Sequence, residues 1–161
     1  HPTASDLRLI MIISKAITDI ERMGDEIERI ARLVTKQKLP SDVAIKSSML
    51  SIGQQAAAMM RGTFDAFARL DEEAALEVYD QDNSIDSEYK KLLSYTADEM
   101  SRSGDSMEDW LEILWALRSL ERIGDRCKNI CEYVVSLTSG RDVRHTPLEN
   151  LQQTLDNLRD S

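Results

Sequence analysis

Three pairs of acidic residues draw attention because the two members of each pair are four positions apart. The pairs are Glu21 with Asp25, Asp82 with Asp86, and Glu121 with Asp125. In a helix this spacing places both side chains on one face, where like charges repel. Burying unpaired carboxylates is costly, so a partly buried cluster needs a counter-cation. A metal ion would serve.

The donor type limits which metal is suitable. All-oxygen ligation suits hard cations such as magnesium, manganese or ferric iron. Histidine occurs only at His1 and His145, away from the acidic pairs. This argues against a zinc site of the usual kind and against a ferritin-like di-iron bundle, which needs two Glu-x-x-His motifs.

An alternative is that the carboxylates are solvated and tied into ion pairs along their own helices. Asp25 is followed four residues later by Arg29, and Asp86 by Lys90. For any single pair this is the commoner situation, since Asp and Glu are mostly exposed. The string Glu-Arg-x-Gly-Asp, however, occurs twice, at 21–25 and 121–125. Surface ion pairs give no reason for the same five-residue string to recur, so the repeat favours a metal site over surface ion pairs.

The repeated string also contains a glycine and an arginine. Glycine at Gly24 and Gly124 costs about 0.8–1 kcal/mol of helix propensity relative to alanine, which indicates a close helix approach. Two explanations for these glycines stay open. Two helices converge on one ion, or two helices simply cross closely. Arg22 and Arg122 could orient the carboxylates or hold phosphate, although an arginine beside a glutamate is more often a surface residue.

Four long helical patterns must position these residues, at about 6–35, 41–70, 74–103 and 106–138. Each carries apolar or small residues spaced alternately four and three, a heptad seam. In the first helix the predicted seam is Ile13, Ile17, Ile20, Gly24, Ile27, Ala31 and Val34. Asp82 lies within the seam of the third helix and the glutamate pairs border theirs, so we expect all of them to be partly desolvated.

Some details of the helices are also predicted. Ser41 is the expected N-cap of the second helix. Cys127 and Cys131 occupy seam positions and are expected in the core rather than in a thiol site. Trp110 and Trp115 are expected to anchor packing near the start of the fourth helix.

The first and fourth helices align residue for residue at an offset of one hundred positions, as 20–25 and 120–125 show. The chain therefore contains an internal duplication. If each repeat is a three-helix unit ending in this motif, residues 1–38 are the last helix of one repeat and 41–140 form a complete second repeat. The first helix should pack on that repeat or on a neighbouring chain. Residues 141–161 form a tail with a short amphipathic helix that carries Leu148, Leu151, Leu155 and Leu158.

Composition narrows the function. A net charge of -9 makes nucleic acid and anionic membrane surfaces poor partners. No apolar run approaches the roughly 18–20 residues that span a bilayer. The two cysteines lie on one helical face rather than in a cross-linking framework, so they do not indicate an oxidising compartment. A cytoplasmic protein is expected. No Gly-rich phosphate loop and no Ser-His-Asp arrangement is present, so we do not expect an enzyme.

Together the two Glu-x-x-x-Asp strings, the opening Pro2-x-Ala4-x-Asp6-Leu7-Arg8 and the segment Asp82-Asn83-x-x-Asp86 resemble the PhoU family. The resemblance extends to about Arg144 and implies an all-α, antiparallel long-helix bundle from which the family's N-terminal portion is missing. It also implies multinuclear metal clusters, with iron expected and manganese, magnesium or zinc as alternatives. By position, Asp82, Asp86, Glu121 and Asp125 would form the complete second metal site, and Glu21 and Asp25 half of the first.

The resemblance further implies negative control of the phosphate-starvation response, through contact with a sensor histidine kinase and the phosphate-transporter ATPase. A homo-oligomer is expected. Arg29 stands where the second copy has Asn129, and this cation could neutralise Asp25 without metal. Two other functions stay open: a metal-dependent hydrolase or oxidase with a carboxylate-bridged centre, and a metal-free helical interaction module.

Overall fold

The computed structural model describes residues 4–36 and 42–139, and within these ranges it contains four long α-helices and no strand. The helices are α1 (Ala4–Thr35), α2 (Val43–Arg69), α3 (Glu72–Arg102) and α4 (Met107–Ser139). The predicted all-α class is therefore confirmed. The predicted tail helix, with its four leucines, lies outside the described residues.

Aspartate side chains cap the N-termini of α2 and α3. The side chain of Asp42 accepts hydrogen bonds from the backbone N–H groups of Ala44 (2.7 Å) and Ile45 (3.0 Å) and so caps α2. The expected cap, Ser41, lies outside the described residues, and Asp42 performs the role. The sequence Asp71-Glu72-Glu73 predicts a tight turn between the second and third helices. Instead, Asp71 caps α3 by accepting a hydrogen bond from the backbone N–H of Ala74 at 3.0 Å, and the helix begins at Glu72.

The complete repeat has the core that its heptad seams predict. In α3 the seven predicted seam residues are all buried: Ala75, Val78, Asp82, Ile85, Tyr89, Leu92 and Thr96. The seven predicted seam residues of α4 are also buried: Ile113, Leu117, Leu120, Gly124, Cys127, Cys131 and Val134. In α2, Met49 is half-buried and Leu70, which ends the helix in the left-handed conformation, is 45% exposed. The two cysteines are buried as predicted, and burial raises the pKa of the Cys127 thiol to about 11 and that of Cys131 to about 12. Such thiols are unreactive core residues.

Helix α1 packs antiparallel along α4. Lys36 lies opposite Glu112 (3.4 Å), and Glu26 lies opposite Arg122 (3.3 Å). Asp19 lies opposite Asn129 (3.4 Å), so each step up α1 is matched by an equal step down α4. The expectation that the first helix packs on the remaining repeat is therefore confirmed.

The predicted seam of α1 is wrong, because the face that contacts α4 is the neighbouring one. The predicted residues Ile13, Ile17, Ile20, Gly24, Ile27, Ala31 and Val34 are all exposed. The buried residues are Ile12, Ala16, Asp19, Met23, Glu26 and Leu33. The helix is apolar on two adjacent faces, and in this chain α4 covers only one of them.

A buried acidic residue fixes α1 against α4. Asp19 is 4% exposed and accepts hydrogen bonds from the Tyr133 hydroxyl (2.8 Å), the Arg126 guanidinium (3.0 Å) and the Asn129 amide (3.4 Å). Removing its carboxylate from water is offset by these three donors. Burial and the hydrogen bond to Asp19 raise the pKa of Tyr133, which keeps its proton in place as a donor.

The two tryptophans differ. Trp110 is buried as predicted, and its indole N–H donates to Ser103 Oγ at 2.7 Å. Trp115 is 57% exposed, so its predicted role as a packing anchor is wrong. It lines an open groove beside the C-terminal part of α1, together with Arg29, Arg32 and Lys36.

None of the helices in the described part of the chain is long and apolar enough to cross a membrane.

Candidate functional site

The most buried of the predicted site residues is Asp82, on α3. It is 2% exposed, and its carboxylate lies against the backbone of Gly124 on α4. A Cβ atom built on Gly124 would be 2.7 Å from Asp82 Oδ1, closer than real Cβ atoms approach. The glycine of the repeated string therefore makes room for the carboxylate. At Gly24, by contrast, an added Cβ meets nothing within 4 Å.

The other three predicted ligands of the second site are Asp86, four residues after Asp82 on α3, and Glu121 and Asp125 on α4. Asp86 and Glu121 are half-buried, and Asp125 is more exposed. Loss of hydration raises the pKa of Glu121, and the negative charges of Asp125 and Asp86 raise it further, although Arg118 and Arg122 act in the opposite direction. The pKa of Asp125 is also raised, first by loss of hydration and then by Asp86. The four carboxylates therefore influence one another electrostatically.

Two cations of α4 partly balance this negative charge. Lys128 Nζ is 3.1 Å from Asp82 Oδ2, an ion-pair distance without hydrogen-bond geometry, and it also lies 4.9 Å from the centre of the Tyr79 ring. Loss of hydration raises the pKa of Asp82, and Lys128 reduces that rise. Arg118 is 2.7 Å from Glu121 Oε2. Sequence reasoning missed both cations, although Lys128 follows Gly124 by one turn and so shares its face.

The other two predicted ligands are far less enclosed. Glu21 and Asp25 are exposed on α1, so the expected desolvation is not found for this pair. The ion pairs that were the alternative are not formed either: among the described residues, neither Asp25 with Arg29 nor Asp86 with Lys90 makes an ion pair. Arg29 instead lies 3.8 Å from Glu26.

The arginines of the repeated string have separate surroundings. Arg122 donates to Glu26 Oε1 at 3.3 Å and thus joins α4 to α1 rather than orienting the site carboxylates. Arg22 is exposed. Neither expectation for Arg122, a surface residue or a phosphate ligand, anticipated this contact across the two helices.

The site fits a cation in its donor chemistry. Asp82 Oδ2 and Glu121 Oε2 are buried oxygens that each lie within ion-pair distance of one side-chain cation, Lys128 at 3.1 Å and Arg118 at 2.7 Å. All four residues offer the carboxylate oxygens that hard cations prefer. Over residues 4–36 and 42–139, no three His, Cys, Asp or Glu side chains are arranged to hold a metal ion together. Binding would therefore require the carboxylates to turn away from Lys128 and Arg118.

The fold and this site define a class of protein: antiparallel bundles of long helices that carry a repeated acidic motif on two of the helices. The PhoU domain model matches residues 1–34 and 49–134. The chain therefore belongs to the PhoU family.

Individual relatives agree with this assignment. The phosphate-specific transport system accessory protein PhoU of Escherichia coli (strain K12) is 37% identical over 155 residues, which are 96% of this chain and 64% of that protein. The crystal structure of PhoU from Pseudomonas aeruginosa superimposes with a TM-score of 0.79 at 40% identity, covering 88% of this chain and 68% of that one. For the phosphate transport system regulatory protein PhoU from Streptococcus pneumoniae the TM-score is 0.76 at 28% identity, covering 87% and 66%.

The chain spans slightly less than two thirds of the curated relatives it matches, at 65% for the Edwardsiella tarda protein and 64% for the Escherichia coli protein. The two matched segments correspond to the predicted last helix of one repeat, 1–38, and to most of the predicted second repeat, 41–140.

Proposed function

We propose that the chain is a metal-binding, non-enzymatic regulator of phosphate uptake that acts in the cytoplasm through protein contacts. The names of its relatives, which are accessory proteins of a phosphate-specific transport system, support the phosphate connection. The proposed effect is negative control of the phosphate-starvation response. The proposed partners are a sensor histidine kinase and the phosphate-transporter ATPase, with no role for nucleic acid or membrane insertion.

The desolvated carboxylates between α3 and α4 are the observation that supports the metal-binding part of the proposal. Asp82, Asp86, Glu121 and Asp125 would hold the metal, with iron first and manganese, magnesium or zinc as alternatives. When bound, the ion would supply the positive charge that these carboxylates lack. Glu21 and Asp25 would add a second site only where another acidic surface covers them.

Metal content of the purified protein tests this proposal. We expect plasma mass spectrometry to find a stoichiometric hard cation that is lost in Glu121→Ala/Asp125→Ala. The matched control is Glu73→Ala/Glu77→Ala, an exposed pair with the same four-residue spacing on α3. Retention of metal by the Glu121/Asp125 variant, or equal loss in the control, would contradict the site assignment.

The regulatory part needs a separate test. We expect the chain to lower expression from a phosphate-starvation reporter in cells that lack their own PhoU protein, and to co-purify with the kinase or the ATPase. An unchanged reporter together with the absence of both partners would contradict it.

A metal-free helical module is the second candidate, and two contacts favour it. Lys128 and Arg118 already place positive charge beside Asp82 and Glu121. This candidate predicts that a chelator changes neither metal content nor melting temperature.

A further inference from the structure

Lys128 occupies an enclosed position at the proposed metal site. Its side chain is 21% exposed and that of Asp82 is 3% exposed, so the pair lies largely out of water. The ammonium group rests near the face of Tyr79, three residues before Asp82 on the same helix. An ammonium over an aromatic ring gains a further attraction when water is excluded. Lys128 is therefore held by two groups of α3.

This position conflicts with a metal ion on Asp82. A hard cation binds carboxylate oxygen at about 2.0–2.6 Å, and Lys128 Nζ already lies 3.1 Å from Oδ2. Two positive charges this close repel strongly where water is scarce. Metal and ammonium therefore compete for the same carboxylate.

The other cation at the site is held differently. Arg118 also pairs with a site carboxylate, Glu121, but its side chain is 50% exposed. Ion pairs open to water are weak and easily exchanged. Moving Arg118 into solvent gives up a half-exposed ion pair and an interaction with Tyr89, whereas moving Lys128 gives up a buried ion pair with Asp82 and the ring of Tyr79.

We propose that Lys128 is a built-in counter-ion that competes with metal for Asp82 and sets the metal affinity of the second site. The inference rests on the proposed function, because it concerns the same carboxylates. With metal absent, Lys128 joins α3 to α4. With metal bound, it leaves Asp82, so metal binding changes which groups connect the two helices.

Manganese titration of the chelator-treated chain tests the competition. We expect Lys128→Met, which removes the charge and keeps the length, to bind Mn²⁺ at least about tenfold more tightly, because two positive charges this close repel each other where water is scarce. Lys128→Gln should behave in the same way and serves if the methionine variant folds poorly. Lys46→Met, at an exposed lysine of α2, should stay within about twofold of the parent because exposed charges are screened. Arg118→Met should fall between these results.

Stability without metal gives a second measurement. Lys128→Met leaves Asp82 buried without its cation, so its urea midpoint should fall, and saturating Mn²⁺ or the further change Asp82→Asn should restore it. The double variant should also lose the gained Mn²⁺ affinity. An unchanged midpoint, or gained affinity that survives Asp82→Asn, would overturn the inference.

The outcomes separate this inference from the proposed function. Binding by the parent chain with no gain in either Lys128 variant overturns the inference and leaves metal binding intact. Binding only by the Lys128 variants supports the inference and contradicts metal binding by the parent chain. Absence of Mn²⁺ binding in every variant overturns both.

Discussion

Gly24 and Gly124 hold matching positions in the two copies of the motif, yet an added methyl group would meet different surroundings. At Gly24 the space is open, while at Gly124 it is filled by the carboxylate of Asp82. Substitutions at the two glycines therefore distinguish the effect of helix propensity from the effect of the space that Asp82 needs.

Alanine substitution should show this difference. Gly24→Ala is expected to raise the free energy of unfolding by about 0.8–1 kcal/mol, the usual propensity gain. Gly124→Ala has the same gain available but must displace Asp82, so it should be at least about 1 kcal/mol less stable than Gly24→Ala. Urea unfolding of both variants provides the measurement. Equal stabilisation would mean that Asp82 does not need the space beside Gly124.

The raised pKa values of Asp82, Glu121 and Asp125 make stability depend on pH. In the unfolded state these groups have ordinary pKa values, 3.8 for Asp and 4.5 for Glu, whereas their pKa values in the native state are higher. At pH values between the two, the native state therefore binds more protons than the unfolded state. Over that window the contribution of these groups falls with rising pH.

A double variant can remove the part of this pH dependence that comes from Glu121 and Asp125. Glu121→Gln/Asp125→Asn should flatten the fall and be more stable than the parent near pH 7, measured as urea midpoints from pH 4 to 7 with chelator present. Glu73→Gln/Glu77→Gln, at exposed positions of α3, should keep the parent's slope. A parent whose stability rises steadily over the same window would contradict the pKa directions.

At this scale the sequence predicted acidic residues better than their partners. Asp82 could be placed in the core because it takes a seam position between Val78 and Ile85. Lys128 could not be paired with it, because a lysine has a long stem that reaches either along its own helix or across to a neighbour. Only the packing of α3 on α4 decides which.

Helix α1 is held to α4 by polar contacts as well as by apolar packing. Asp19 receives three hydrogen bonds there, while Glu28 forms an exposed ion pair with Arg32 on the same helix. These two acidic residues of one helix allow a direct comparison.

Asp19→Ala should destabilise the chain by about 3–5 kcal/mol, because it leaves the Arg126 guanidinium and the Tyr133 hydroxyl without their shared partner. Hydrogen exchange should show the largest loss of protection in α1. Glu28→Ala should cost at most about 1 kcal/mol. A loss spread evenly over α2 and α3, with α1 spared, would show that Asp19 does not hold α1 in place.

The positions of the four helices could be predicted from their heptad spacing, but the face of α1 that is buried could not. Each motif helix carries two adjacent apolar stripes, and in α4 both are covered, one by α2 and α3 and the other by α1. The equivalent of the α4 seam is the exposed stripe of α1. Period alone cannot say which of two stripes has a partner, since that depends on the helices present.

At the scale of the whole molecule, the exposed stripe of α1 is an apolar surface that runs along most of one helix. Ile10 and Ile17 are each 58% exposed, and Ile20 and Ile27 are each 42% exposed. Contiguous apolar surfaces of this kind drive association in water. The expected homo-oligomer has a physical basis here.

Ile17→Lys/Ile27→Glu should shift the chain towards the monomer, because charge on the stripe opposes its burial. Light scattering coupled to size exclusion, over a range of protein concentration, provides the measurement. Leu50→Lys, at a 64% exposed leucine of α2, is the matched control and should leave the mass unchanged. A parent chain that stays monomeric at all concentrations would contradict the expectation.

The antiparallel register of α1 and α4 has a historical implication. It puts Gly24 level with Gly124. The N-terminal half of α1 therefore faces the C-terminal half of α4, and the reverse holds for the other two halves. Two identical helices related by a two-fold axis would pack in the same way. An ancestor with a single repeat could have formed a homodimer through this helix. Two identical chains could not hold the present pair, since Asp19 corresponds to Ser119 and Arg126 to Glu26. Within one chain the two sides can differ in sequence, and the buried Asp19–Arg126 contact depends on that difference.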